Sequence, residues 1–363
     1  GDVLVISYVG YQDHELKVFP GAEMNIQLSA KTDPLDDVVV VAYGSQRKKD
    51  ITGSVSVVNV ADAKKTATYD VAKMLQGQVA GVEVQGSGEP GGYVNIKIRG
   101  VNSLISNGPL FVVDGVALYD APFDFSTADI ESVQILKDAS SAALYGVRAA
   151  GGVVIITTKK GRSGPLRVSY TGSYGFQQIG KKIPVTDRVG YQKITTAAEL
   201  NAGLGIAPGN DPSSPKFISN VNTDWQKEAF KTGRIQDHNV SFSGGSELAS
   251  FNVSLGYFDQ TGTLKGPQKY DRYTVNMSMQ GKKGLFSYGA KVALTQSNKN
   301  SFGISTDHAV FGGIVTNTLT AIPTMPVYDS TRLGGYGGVD NVTQRAISLN
   351  VIGMNNLVTD NDK

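Results

Sequence analysis

The 363-residue chain has no cysteine. Disulfides, thiolate metal sites and cysteine nucleophiles are therefore excluded. Histidine is scarce: His14, His238 and His308 lie far apart, without metal-ligand spacing. The formal net charge of +2 is too small to make nucleic acid the main partner. No run approaches 18 consecutive apolar residues, so no transmembrane helix is expected. Enzyme signatures are missing too: no G-x-S-x-G elbow, no Walker A loop, no H-E-x-x-H, no dinucleotide fingerprint after a strand. The residues thus give no positive case for an enzyme, a resident metal or a cofactor. The opening Gly1-Asp2-Val3-Leu4-Val5-Ile6 reads as part of a strand and lacks the basic and apolar regions of a signal peptide. A preceding segment is the expectation.

What the chain does have is glycine (43 residues) and 40% hydrophobic residues, a mixture suited to β-structure with many turns. Four zones follow. Residues 1–30 read as the end of a β-sandwich. Residues 31–50 read as a linker holding Val38–Tyr43 between charged flanks. Residues 51–163 alternate short strands and helices in an α+β unit. Asp70 is placed to cap one helix, and Asp114-Gly115 to make a turn. From residue 164 onward the pattern becomes period two. Phe251, Val253, Leu255 and Tyr257 alternate with Asn252, Ser254 and Gly256. Tyr273, Val275, Met277 and Met279 alternate with Thr274, Asn276 and Ser278. Five such strands, joined by alternating short turns and long links, fit a transmembrane antiparallel barrel with a polar lumen. A soluble sandwich with one wet face is the competing reading. Five strands cannot close a membrane barrel, so further strands beyond Lys363 are expected.

Several ordered motifs resemble the SusC/RagA family of TonB-linked outer-membrane proteins. They are Leu35-Asp36-Asp37-Val38-Val39-Val40-Val41-Ala42-Tyr43-Gly44, Leu75-Gln76-Gly77-Gln78-Val79-Ala80-Gly81-Val82, Ile96-Lys97-Ile98-Arg99-Gly100 and Pro109-Leu110-Phe111-Val112-Val113-Asp114-Gly115. The longest match runs from Asp129-Ile130-Glu131-Ser132-Val133 through Leu136-Lys137-Asp138-Ala139-Ser140 and Leu144-Tyr145-Gly146 to Gly152-Val153-Val154-Ile155-Ile156-Thr157-Thr158-Lys159-Lys160-Gly161. Val147, Gly151 and Ala117 depart from the usual pattern and affect only loop detail. The resemblance implies a mainly β protein: an α+β plug inside a barrel of about 22 strands, preceded by the end of a carboxypeptidase-regulatory-like sandwich.

The same resemblance implies partners and sites. TonB would engage the segment Val38, Val39, Val40, Val41, Ala42 and Tyr43 by strand addition, unless Val38–Val41 is an ordinary plug strand. A SusD-like surface lipoprotein would close the outer mouth, in a dimer of transporter–lipoprotein pairs, with outer-membrane lipid around the barrel. The substrate would be a glycan or a peptide. Arg99, Asp114, Glu131 and Arg148 are candidate plug ion pairs. Ser87, Glu89, Tyr93, Asn102 and Asn107 are candidates to face substrate, and Tyr119 and Phe123 could stack on sugars or fill the plug core. The polar tail Thr359-Asp360-Asn361-Asp362 reads as solvated or, less simply, as calcium ligands. A receptor for a metal chelate or vitamin, or a non-transporting surface barrel, are the alternative functions.

Overall fold

The computed structural model describes residues 55–65, 68, 70–101, 108–118, 125–138, 142–246, 248–302, 313–340 and 342–357. It also describes the backbone of four strands before residue 50 and one at 359–362. The early strands form two antiparallel hairpins: β1 (Val3–Ile6) with β2 (His14–Lys17), and β3 (Val38–Val41) with β4 (Gly44–Arg47). The segment read as a linker therefore contains a strand pair. Ala42 and Tyr43 lie outside the described residues.

The plug is built on β5 (Val55–Val58), short helices α1 (Val60–Ala63) and α2 (Val71–Met74), and the hairpin β6 (Val82–Gly86) with β7 (Val94–Ile98). It continues through β8 (Leu110–Val113), β9 (Val116–Leu118), β10 (Ile130–Leu136) and β11 (Val153–Thr158). Each helix starts on a side-chain cap. Asn59 Oδ1 accepts from the Asp62 amide and Asp70 Oδ1 from the Ala72 amide, replacing amide partners that a first turn lacks. The sheet order is β5-β10-β11-β8-β9, with β11 and β8 parallel and the other neighbours antiparallel. Because β11 is central, both its faces are covered, which explains its unbroken apolar run. Val154 and Ile156 join one buried cluster with Val133, Ile135 and Leu75. Val153 and Ile155 join another with Leu110 and Val112.

Two turns show why particular residues are required. Asp114 (φ 48°) and Gly115 (φ 88°) close the β8–β9 hairpin, a two-residue turn whose positive φ angles favour Asp-Gly. Gly152 (φ 92°) precedes β11. A Cβ there would meet the Ile98 side chain at 2.8 Å and the Leu136 carbonyl at 3.0 Å. Ahead of β11, the Ala142 amide donates to the Asp138 carbonyl four residues back, and two 3-10 turns follow, Ala143–Tyr145 and Val147–Ala149.

Beyond the plug a sheet meanders in chain order: β12 (Gly164–Gln177), β13 (Gly233–Gly245), β14 (Ala249–Thr261), β15 (Lys269–Lys283), β16 (Phe286–Phe302) and β17 (Thr359–Asp362), all antiparallel. The sixth strand corrects the expectation of five. Its sequence is wholly polar, so apolar periodicity gave no sign of it, and it pairs with Lys299–Phe302 of β16 through backbone bonds. The links carry further helices, α3 (Arg188–Asn201) and α4 (Trp225–Ala229) between β12 and β13, and α5 (Ile314–Thr320) and α6 (Val351–Leu357) between β16 and β17.

Burial on these strands inverts that of a soluble sandwich. Polar Asn252 and Ser254 are 7% and 1% exposed, whereas Leu255 and Met277 are 45% and 46% exposed. The register aligns the apolar side chains of this face in rows: Tyr170–Val240–Leu255–Val275–Leu294, and Val168–Phe242–Val253–Met277–Val292. An apolar outer face over a polar inner one is the requirement of a strand facing lipid outside and a wet or plugged lumen inside. Aromatic residues mark both edges of the band. At one edge His238, Tyr257 and Tyr273 follow one another, with rings 6.4 and 5.0 Å apart, and the Tyr170 hydroxyl is 2.7 Å from His238 Nδ1. At the other, Tyr288 donates to the Leu248 carbonyl at 2.9 Å beside the exposed Phe286 and Leu285. Leu248 to Tyr257 is about 30 Å of strand, or about 23 Å along the normal at a tilt of about 40°, close to the apolar height of an outer membrane.

The Tyr288 edge carries the short turns at 246–248 and 284–285, and the Tyr257 edge carries the links 178–232, 262–268 and 303–358. Short turns face the periplasm and long loops face outside. The outer links share a core of Trp225, Leu264, Ile314, Met325 and Ile352. Trp225 Nε1 donates to the Ile322 carbonyl at 2.8 Å, and Asn355 Nδ2 to the Lys265 carbonyl at 2.9 Å.

Candidate functional site

The chemically distinctive region is the seam between the plug and the inner face of β13–β16. Near the outer end the contact is apolar: Ile235, Phe258 and Tyr270 join the plug cluster that holds Val94 and Ile96. Lower down it becomes polar. Asp129, 4% exposed, accepts from Asn276 Nδ2 of β15. Gln280 Nε2 donates to the Gly161 carbonyl at 3.0 Å. Lys291 of β16 reaches across to Asp114, and donates to Thr158 Oγ1 at 2.8 Å. The same ammonium stands 5.6 Å over the Phe125 ring. A small cleft at this level is lined by Phe125, Asp129, Thr158, Asn276 and Lys291.

Asp114 is fixed by its turn. The tight hairpin brings its carboxylate back to β11, where the Thr158 amide donates to Oδ1 at 2.9 Å and the Thr158 hydroxyl to Oδ2 at 2.6 Å. Burial alone would raise its pKa. The hydrogen bonds from Lys291 and Thr158 outweigh that, and hold the carboxyl below the ordinary value. A second plug cation, Lys64, donates to the carbonyls of Ala128 and Ile130 at 3.2 and 2.7 Å. Burial, helped by nearby Lys159, pushes it down to about 8.

The candidate residues fall in different places. Glu131 pairs with Arg162 at 2.7 Å on the plug surface, and Asp114 pairs across the seam with a barrel lysine. Arg99 (φ 56°) and Arg148 are exposed. Ser87, Glu89 and Tyr93 share one compact loop: the Ser87 amide donates to the Tyr93 carbonyl at 3.1 Å, and the Glu89 amide to Ser87 Oγ at 3.3 Å. This loop packs on Tyr270, three residues from Tyr273 toward the outer links, and a methyl group on Gly91 would overlap the Tyr270 ring. Tyr93 is 63% exposed. Asn102, Asn107, Tyr119 and Phe123 lie outside the described residues. Lys291 and Asn276 were missed as site residues. In the sequence they are polar members of an alternating strand, and nothing there distinguishes them from Ser278 or Thr274.

The sequence profile "TonB-dependent Receptor Plug Domain" matches residues 47–153. The TonB-dependent receptor SusC of Bacteroides thetaiotaomicron is 37% identical over 91% of this chain and 32% of its own length. The TonB-dependent receptor P26 of Formosa agariphila is 36% identical over 94% of this chain and 33% of its own length. Among solved structures, a RagAB peptide importer in an open-open state aligns with 79% of this chain and 35% of its own, with a TM-score of 0.64 and 29% identity. The chain spans about a third of the length of these relatives. The apolar outer band, the plug seated on the polar inner wall and these likenesses agree: the chain belongs to the SusC/RagA family of TonB-dependent outer-membrane proteins.

Proposed function

We propose that the protein imports nutrient oligomers, oligosaccharides or oligopeptides, across the bacterial outer membrane, with TonB supplying the work and a SusD-like lipoprotein closing the outer mouth. The observation that carries this reading is the seam. Its lower half consists of a few polar tethers, Asp129–Asn276, Asp114–Lys291 and Gly161–Gln280, that part without tearing an apolar core. A plug that must open and reseal needs contacts whose polar groups find water when separated. The relatives named TonB-dependent receptors, and the neighbour titled a peptide importer, support the same reading.

In this reading 1–30 is the end of a sandwich domain, 31–50 holds the TonB-engaging segment, 51–163 is the plug, and 164–363 is barrel wall with its loops. Val38–Val41 already takes an extended form in the β3–β4 hairpin, and exchange of β4 for a strand of TonB would keep its ladder bonds. Ser87, Glu89 and Tyr93 meet substrate from the plug's outer side. The test is uptake and growth of the native bacterium on candidate glycans and peptides, with full-length protein and with Val38–Tyr43 deleted. Lost uptake at normal outer-membrane levels is the expected result. Undiminished uptake on every substrate would remove the TonB-engaging assignment.

A further inference from the structure

Just outside the Tyr257–Tyr273 row, the lipid-side face changes character. The unbroken register of β13, β14 and β15 carries Arg234, Gln236, Asp259, Asp271 and Lys269 onto the same face as His238, Tyr257 and Tyr273. Asp259 is 1% exposed on this outer-facing row. It is covered by two cations: Arg234 Nη2 lies 2.9 Å from Oδ1 and Lys269 Nζ 3.1 Å from Oδ2, with Lys269 also 3.3 Å from Asp271. Both cations remain accessible, at 45% and 41% of the side chain.

The level is informative. An aromatic girdle marks where acyl chains give way to headgroups, so the next polar row outward sits among the headgroups themselves. Exposed ion pairs add little stability, which leaves stability a poor reason for burying a carboxylate here. Orientation is a better one. Asp259 uses one donor of the Arg234 fork and aligns Lys269 beside it, and both cationic side chains keep accessible surface. A planar fork next to an ammonium matches the oxygens of a phosphate monoester.

We propose that Arg234 and Lys269, oriented by Asp259, form a docking site for the phosphorylated headgroup of an outer-leaflet lipid. The inference rests on the membrane orientation given above and is independent of which nutrient is imported. The test uses delipidated full-length protein in neutral detergent, titrated with lipid A or with phosphatidylcholine and read by native mass spectrometry. Wild type should retain lipid A in preference to phosphatidylcholine. Arg234→Gln with Lys269→Gln should weaken that retention at least tenfold, Arg234→Lys should keep most of it, and Lys283→Gln at the opposite rim should leave it unchanged. Inorganic phosphate alone should not compete at equal concentration. Equal retention by the double variant, or equal retention of the two lipids by wild type, would overturn the proposal. So would a double variant that keeps lipid A but loses self-association, since the row would then serve a second copy of the chain. Uptake measured in parallel separates this outcome from failure of the import reading.

Discussion

Asp114 illustrates how much one residue can carry here. Its backbone makes the hairpin turn, and its carboxylate ties β8 to Thr158 of β11 and the plug to Lys291 of the wall. Replacement by Asn leaves a half-buried ammonium without its counter-charge. Asp114→Asn should destabilise the full-length protein by about 2 kcal/mol, read from denaturant unfolding, with normal strand content by circular dichroism. The pH dependence has a definite sign. The folded carboxyl titrates below its ordinary 3.8, so its contribution is full above that value and lost as pH falls through the lower folded value. The wild type should therefore lose its advantage over Asp114→Asn only in acid, below about pH 4. A constant difference down to the lowest accessible pH would refute the assignment.

At the scale of elements, the outer wall was the most legible part of the sequence. Period two on β12–β16 reports that one face meets lipid and the other polar groups, and the structure places Leu255, Met277 and Val292 outward as that pattern requires. Plug strands β8, β10 and β11 were legible for the opposite reason, since burial on both faces leaves continuous apolar runs. Short β9 and polar β17 were not legible: β9 is three residues of which two are exposed, and the β17 sequence holds no apolar residue. The seam was invisible for a related reason: Asp129 meets Asn276, and Asp114 meets Lys291, only through tertiary register, across sequence separations that no local spacing records. The element-scale prediction concerns the band. Leu255→Arg should cost about 2–4 kcal/mol of stability in lipid vesicles, as an arginine facing the bilayer midplane, whereas Asn252→Ser on the inner face should cost less than about 1 kcal/mol. Equal costs would contradict the assignment of faces.

For the whole molecule, the architecture separates three tasks along one axis. Short turns and the Gly161–Gln280 tether occupy the periplasmic end, the Asp129–Asn276 and Asp114–Lys291 tethers the middle, and the 87–93 loop and the shared core of the long links the outer end. The plug leaves for the wall at the periplasmic end, where a side chain on Gly161 would overlap the backbone of Ser250 and Phe251. Work applied at the periplasmic side would therefore act close to the Gly161 tether and far from the 87–93 loop. The most direct test of the account is to lock one tether. The chain offers no cysteine of its own, so Asp129→Cys with Asn276→Cys introduces a thiol pair across the seam that a short bifunctional methanethiosulfonate can bridge. Uptake by cells carrying the bridged protein should fall at least tenfold and return on reduction, with unchanged outer-membrane levels and substrate binding. Uptake that continues undiminished with the bridge intact would contradict the claim that passage requires the plug to part from this wall.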